Sequence, residues 1–418
     1  MSMRTAISGM NAAQTDLSAT ANNIANSSTV GFKGSRAEFS SLYALSAGRA
    51  GSAPGAGVRV SNLTQQFTQG DLAFTGNNLD LSINGDGFFV IQGQESTPSY
   101  TRAGAFQIDR EGYVANAQGA RLQVYLPTGN NSFSTGTLSD LRISTADAAP
   151  QATSNVEIQF NLPASGATPP RVAPFDPANA NSYNFSNSAT IYDSQGGAHV
   201  ATNYYVKTAN ANEWRQYLLI DGQVVPPTNP ATAGDDFVSL SFSPATGGLT
   251  APAGGLVAFS PFSPPAGEGY APINLTLDIS RSAQFGNAFS VSAVTQDGFT
   301  TGKLMGVSVD PDGVIRGSYT NGRVDALAQV AMARFSNPTD LRATSDSSWS
   351  ETFESGPALI GAPGAGGLGQ IQGGALENSN VDLTEQLVNM ITAQRNFQAN
   401  AKVISTADAL AQTLINLR

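Results

Sequence analysis

Apolar side chains recur at Met3, Ile7, Met10, Leu17, Ala21 and Ile24, with Gln14 in phase, and the same spacing returns near the end of the chain at Leu383, Leu387, Met390, Gln394, Phe397, Ala401 and Ile404. Alternating steps of four and three are the a/d seam of a coiled coil, so both termini are expected to be helices. Leu410, Leu414 and Leu417 continue the second seam. The remaining faces carry mostly Ser, Thr, Asn, Gln and Ala, and residues 1 to 30 hold only two charges, Arg4 and Asp16. A helix facing water normally shows a charged outer stripe. These helices are therefore expected to pack between molecules, with an intramolecular hairpin of the two as the alternative. Uncapped, and with few apolar contacts for each ordered backbone, they should fray in the isolated chain and order when neighbouring copies cover them.

After about residue 57 the period changes from helical to alternating. Val58, Val60 and Leu63, then Leu79, Leu81 and Ile83, read as half-buried strands. Asn84-Gly85 is a type I′ hairpin signal that should return the chain as the buried strand Phe88-Phe89-Val90-Ile91. Further strands are expected at Phe106–Ile108, Tyr113-Val114, Thr190–Tyr192, Asn203–Val206, Tyr217–Ile220 before an Asp221-Gly222 turn, and Leu275–Ile279. The fold class is thus mainly β with terminal α-helices: the N- and C-terminal helices form a coiled-coil-like base with nested antiparallel β domains between them. Residues 163–177 and 226–234 read as Pro-rich loops, the Gly, Ala, Ser and Pro stretch at 47–57 as a joint, and the Gly-rich stretch at 356–374 as a linker or an extended arm, with ordered arms as the alternative to flexible joints at both. The expected division is a helical polymerisation domain (1–26 plus 383–418), connecting arms (27–73 plus 347–382), an inner β domain (74–146 plus 291–346) and an inserted outer β domain (147–290).

Composition narrows the chemistry. Only 12 % of the 418 residues are charged, about half the usual share, and 21 basic groups face 31 acidic ones, which argues against nucleic acid as a partner. Without cysteine there is no disulfide, thiolate nucleophile or Cys-bound metal. The single histidine, His199, reads as a surface strand residue rather than part of a metal site or triad. No run of eighteen apolar residues exists, so no membrane insertion is expected, and the N-terminus lacks a Sec-type apolar stretch. Gly364-x-Gly366-x-x-Gly369 follows Pro363 and precedes no helical pattern, so it is no dinucleotide fingerprint. Gly302-Lys303 is followed by Leu304 and lacks the upstream glycine of a P-loop. Asp310-Pro311-Asp312-Gly313 lacks the later ligands of a calcium loop and reads as a turn, and the adjacent Asp235 and Asp236 sit on a water-facing loop. No catalytic, cofactor-binding or metal-binding residue is expected.

Two motifs at opposite ends then point to a family. Asn22-Asn23-Ile24-Ala25-Asn26 with Thr29-Val30-Gly31-Phe32-Lys33, and Asn380-Val381-Asp382-Leu383 with the run from Gln394-Arg395-Asn396-Phe397 through Asn400 to Ile404, resemble the two terminal signatures of the rod and hook proteins of the bacterial flagellum. Segments 67–70, 85–89, 100–106, 295–302, 327–330 and 335–338 are also similar to that family, so the resemblance covers about 1–146 and 290–418. Rod subunits lack a large inserted block, whereas hook subunits carry one, so the block 147–290 points to a hook-type subunit.

The resemblance implies a structural homopolymer, not an enzyme. Its subunits stack into a curved, flexible tube, a universal joint that transmits motor torque to the filament and surrounds the export channel. Implied partners are further copies of the chain, the distal rod subunit, the hook cap, the hook–filament junction protein and the flagellar type III export apparatus. The implied location is the hook outside the cell, reached without a cleaved signal peptide. A distal-rod-like axial protein and a secreted β-rich adhesin are the alternatives, and the adhesin leaves the paired heptads unexplained.

Overall fold

A computed structural model describes residues 2–42, 55–93, 97–129, 132–144, 146–165, 167, 168, 170, 172–230, 232, 234–263 and 271–416. The chain is mainly β, with a helix at each end: α1, Ser2–Ala25, and α2, Leu383–Asn416. Neither is long and apolar enough to cross a membrane. Contacts divide the chain into two units, one of residues 1–145, 306–318 and 324–418, the other of 146–305 and 319–323.

In the first unit α1 packs on α2 and on a ribbon formed by Ser35–Leu42 and Gly57–Gln65, paired antiparallel with one bulge at Glu38/Phe39. Most of the expected joint at 47–57 lies outside the described residues. The β core is built around Phe88–Gln92, whose first four residues are buried, as their continuous apolar run predicts. Phe88, Val90, Tyr100, Phe335, Leu341 and Trp349 form one cluster, with Phe67 edge-on to Phe88 and Trp349. Trp349 also donates its indole N–H to Gln65, tying the ribbon to this core.

Two expectations for this unit need correction. Asn84-Gly85 does not close a hairpin: Leu81–Asn84 pairs with Gln370–Gly373, while Phe88–Gln92 pairs with Pro98–Thr101, Arg121–Tyr125 and Met332–Arg334. A type I′ turn needs positive φ at both central residues. Here Asn84 is not left-handed and Gly85 and Gly87 adopt φ of 111° and 127°, so the chain crosses to a different set of strands. Nor is the Gly-rich stretch 356–374 a linker. It contains Leu359–Gly361, paired with Met332–Arg334, and Gln370–Gly373, and it buries Leu368 and Ile371.

The second unit is a pair of sheets enclosing a core of Val156, Ile158, Phe160 and Leu162 with Ile191, Tyr205, Trp214, Leu218, Ile220 and Leu240. The strands expected at 190–192, 203–206 and 217–220 lie within Phe185–Tyr192, Ala198–Lys207 and Glu213–Ile220, which pair antiparallel. Purely antiparallel pairing does not hold throughout, because Asn155–Pro163 runs parallel to Thr276–Asp278 and Ala283–Phe285.

His199 lies on the Ala198–Lys207 strand as expected, but it is not a bare surface residue. Its Nδ1 is 2.5 Å from Asp221 and its Nε2 is 3.2 Å from Asp193, a carboxylate that also receives the backbone N–H groups of Gln195 and Gly197. With a carboxylate on each ring nitrogen, the doubly protonated imidazolium satisfies both contacts. Burial disfavours that charge, yet the hydrogen bonds and negative charges of Asp221 and Asp193 outweigh it and hold the pKa above the ordinary imidazole value. A raised folded-state pKa stabilises the fold below the unfolded value of about 6.5, and this contribution is lost as pH rises through the folded-state value. His199→Gln is therefore expected to lower the melting temperature of the second unit at pH 6, with the difference from the wild type shrinking as pH rises. A difference that does not change with pH would refute the ion-pair account.

Candidate assembly interface

The two helices run antiparallel. Asn23 donates to the Gln386 side chain at 3.2 Å, and further along Gly9 faces Asn400 so closely that a Cβ at Gly9 would sit 2.8 Å from the Asn400 amide oxygen. On α1 the buried or half-buried positions Ala6, Gly9, Ala13, Asp16, Thr20 and Asn23 step by three and four. On α2 the covered positions Gln386, Met390, Ala393, Phe397, Asn400, Ile404 and Ala407 do the same, with Ala393 fully buried. The face α1 presents is thus small and polar, a surface that allows close approach; burial there raises the pKa of the Asp16 carboxyl.

The expected apolar seam is displaced from this contact. On α2, Met390, Phe397, Ala401 and Ile404 are half-buried, while Leu383, Leu387 and Leu410 are exposed. On α1, Met10, Leu17 and Ile24 are half-buried, and Met3, Ile7 and Ala21 are exposed. Val388, Ile391 and Val403 add to the uncovered apolar surface of α2. Leu417 and the Leu414 side chain lie outside the described residues. The pair therefore makes the intramolecular contact held as the alternative, and still leaves apolar side chains facing outward. Scattered exposed apolar residues are ordinary, but several on one helix pair mark an interaction surface.

α2 is not uncapped. The Asp382 carboxylate accepts the N–H groups of Thr384 at 2.7 Å and Glu385 at 3.1 Å, satisfying donors that a helix start leaves free. Asp382 followed three residues later by Glu385 is a capping signal that the sequence carried.

The signature residues anchor the roots of both helices. Asn23 holds Ser35 from both sides, accepting its N–H at 2.9 Å and donating to its carbonyl at 2.8 Å. Asn26 donates to the Asn22 carbonyl and accepts the Thr29 hydroxyl, shaping the exit from α1. Gly31 has φ 68° and a Cβ there would lie 2.4 Å from the Ala103 nitrogen, so only glycine fits. Phe32 is half-buried, and Gln394 and Arg395 are exposed on α2. Asn380, not singled out by the sequence as a site, accepts the Gly34 N–H and donates to the carbonyls of Gln66 and Thr68.

Behind these anchors lies a buried ion cluster. Lys33 Nζ is 2.5 Å from Glu377 Oε1, and Arg102 is 3.2 Å from Glu377 Oε2, all three side chains being essentially shielded from solvent. Lys33 also donates to the Thr68 carbonyl, Arg102 to that of Gly85, and Gly70 N–H to Glu377. Burial lowers the Lys33 pKa, Glu377 raises it, and Arg102 pushes it down again. Two cations on one carboxylate join the segment after α1, the inner strands and the segment before α2. Lys33 was legible as a signature residue; Glu377 and Arg102 were not recognised as its partners. Among the described residues, no group of three or more His, Cys, Asp or Glu is arranged to hold a metal ion.

Models of protein families match four successive parts of the chain. They are the flagella basal body rod protein over 3–33, the flagellar hook protein FlgE/F/G D1 domain over 82–161, the flagellar basal body protein FlaE D2 domain over 161–299, and the flagellar basal body rod FlgEFG protein C-terminal region over 372–417. The chain is 38 % identical to the flagellar hook protein FlgE of Escherichia coli strain K12 and 37 % to that of Salmonella typhimurium strain LT2, each alignment covering all of both chains. It is 34 % identical to the protein of the same name from Rhizobium meliloti strain 1021, over all of this chain and 98 % of the relative. The crystal structure of the Helicobacter pylori flagellar hook protein FlgE2 superposes with a TM-score of 0.52 at 14 % identity, over 73 % of this chain and all of that one, a likeness of fold.

Proposed function

This chain belongs to the flagellar hook protein family, and from that premise we propose how its parts serve the hook. It is a structural subunit of the bacterial flagellar hook, not an enzyme, and it assembles there with further copies of itself. Residues 1–26 and 383–418 are the polymerisation domain. Met3, Ile7, Leu383, Leu387, Val388 and Ile391, left exposed by the α1–α2 pair, pack against helices of neighbouring copies in a wall around the export channel. Residues 27–73 and 347–382 connect this base to the β domains, an inner one and an inserted one, the latter expected at 147–290 and extended by its contacts to 146–305 with 319–323. The single observation that carries this division is the outward apolar surface on the helix pair. The assembled tube bends as a universal joint while passing torque to the filament. Its other partners are the distal rod subunit, the hook cap, the hook–filament junction protein and the type III export apparatus, through which the chain leaves without a cleaved signal. The absence of cysteine suits a passage between redox compartments.

Electron microscopy of the purified full-length chain is the direct test. Curved tubes are expected, together with none from a β-rich chain lacking residues 1–26 and 383–418. Straight tubes would favour a rod-like subunit, and tubes from the truncated chain would remove the helices from the polymerisation domain.

A further inference from the structure

Phe353 is 97 % exposed, the most exposed of the large apolar side chains described. It sits at the tip of the loop between the strands Ser348–Ser350 and Leu359–Gly361, and that loop cannot fold inward to hide it. Thr352 and Ser355 lock across the tip, each hydroxyl accepting the other's backbone N–H, at 2.9 and 3.1 Å. Ser355 is fully buried and its carbonyl accepts the Asn337 N–H, while the Thr352 hydroxyl donates to the Asp340 carbonyl. On the other side the Glu351 carboxylate accepts the Ala358 N–H and hydrogen-bonds the buried Tyr100 hydroxyl; burial, aided by Glu351, pushes the Tyr100 pKa up to about 12. An aromatic ring is therefore held out into water by a rigid mount.

The adjoining strand offers a second, independent sign of a protein partner. Leu359–Gly361 pairs with Met332–Arg334 on one side and with no other strand among the described residues, and its Leu359 and Ile360 side chains are exposed. An open edge with apolar side chains is a site where another chain can settle. Glu351 and Glu354 flank the ring, which speaks against nucleic acid or an acidic membrane surface. An aromatic ring covers about 150–250 Å², and even with the exposed Leu359 and Ile360 side chains added the apolar area stays well below the roughly 1,200 Å² that a stable isolated complex needs. Such a contact is effective when repeated in an assembly already held by other surfaces. We propose that Phe353 is a knob seated against a neighbouring copy of this chain in the tube, with the open Leu359–Gly361 edge at the end of its loop available to that copy, a contact separate from the helical seams. This rests on the hook assignment.

The test uses the full-length chain. Phe353→Ser is expected to raise the critical concentration for tube formation by about tenfold or more, the loss of one buried aromatic side chain, with the monomer's melting temperature unchanged. Phe353→Tyr should restore most of it. Phe353→p-benzoylphenylalanine, irradiated, should give crosslinked dimers in tubes and none in the dilute monomer. An unchanged critical concentration with no crosslinks between copies would overturn the proposal. So would a fall in the monomer's melting temperature large enough to account for the lost assembly, since Phe353 would then act within its own chain. Absence of tubes from the wild type would count against the hook assignment, whereas normal wild-type tubes with an indifferent Phe353 would count against the knob alone.

Discussion

Leu387→Asp is expected to abolish tube formation while leaving the monomer's circular dichroism and melting temperature unchanged. Leu387 lies on α2 and is 41 % exposed in the single chain, so a carboxylate there meets water and costs the monomer little. In the assembled wall the same carboxylate would be desolvated without a partner, at a cost of several kcal/mol for each copy. Since every copy carries it, the deficit recurs along the whole polymer. Phe397→Asp should also prevent assembly but is a poorer diagnostic, because Phe397 is half-buried on the face of α2 that meets α1. Sedimentation of the variant at protein concentrations where the wild type pellets would settle the matter. Normal tubes from Leu387→Asp would show that the outward face of α2 makes no contact between copies.

The second large effect concerns the ion cluster. Glu377→Gln keeps the shape of the side chain and removes the charge, leaving Lys33 and Arg102 buried together without a counter-ion. Breaking a buried ion pair from one side typically costs about 3–5 kcal/mol, whereas replacing all members by apolar groups is often tolerated. Glu377→Gln should therefore lower the urea midpoint of the first unit strongly and leave the transition of the second unit in place. Adding Lys33→Met should recover part of the loss, because one of the two orphaned cations is then gone. A change under about 1 kcal/mol in the single variant would mean that the cluster is already solvated or neutral, contrary to its burial.

The terminal periodicity correctly placed both helices, but not which face of each meets the other. Spacing favours large apolar side chains, while Ala6, Gly9, Ala13 and Thr20 are too small or polar to register, although close packing needs that kind of surface. On α2 the residues Met390, Phe397 and Ile404 belong to both the expected and the observed rows, and Ala393 and Asn400 replace Gln394 and Ala401 in between. Strand segments with dense β-branched and aromatic residues, such as Phe88–Ile91 and Tyr217–Ile220, were legible for the usual reason that burial on a pleated surface demands them. Their partners were not. Asn84-Gly85 has the composition of a tight hairpin, but Ile83 is needed opposite Ile371 and Phe89 opposite Thr101 and Met332, so tertiary pairing overrode the local preference. Glycine content likewise misled at 356–374, where pairing with two separate strands orders a sequence that alone would be flexible. The cap at Asp382 is readable in the sequence from Glu385 three residues on. The link between Lys33, Arg102 and Glu377 could not be read locally, because nothing in three distant charges says that they meet.

That distance has a consequence for the life of the chain. Lys33 and Glu377 are 344 positions apart, so any product that ends early, from interrupted synthesis or cleavage before residue 377, carries two cations in its core with nothing to neutralise them. A chain truncated between residues 102 and 377 cannot close its first unit around Lys33 and Arg102 without leaving them uncompensated, and it is expected to be cut by protease faster than the full-length chain.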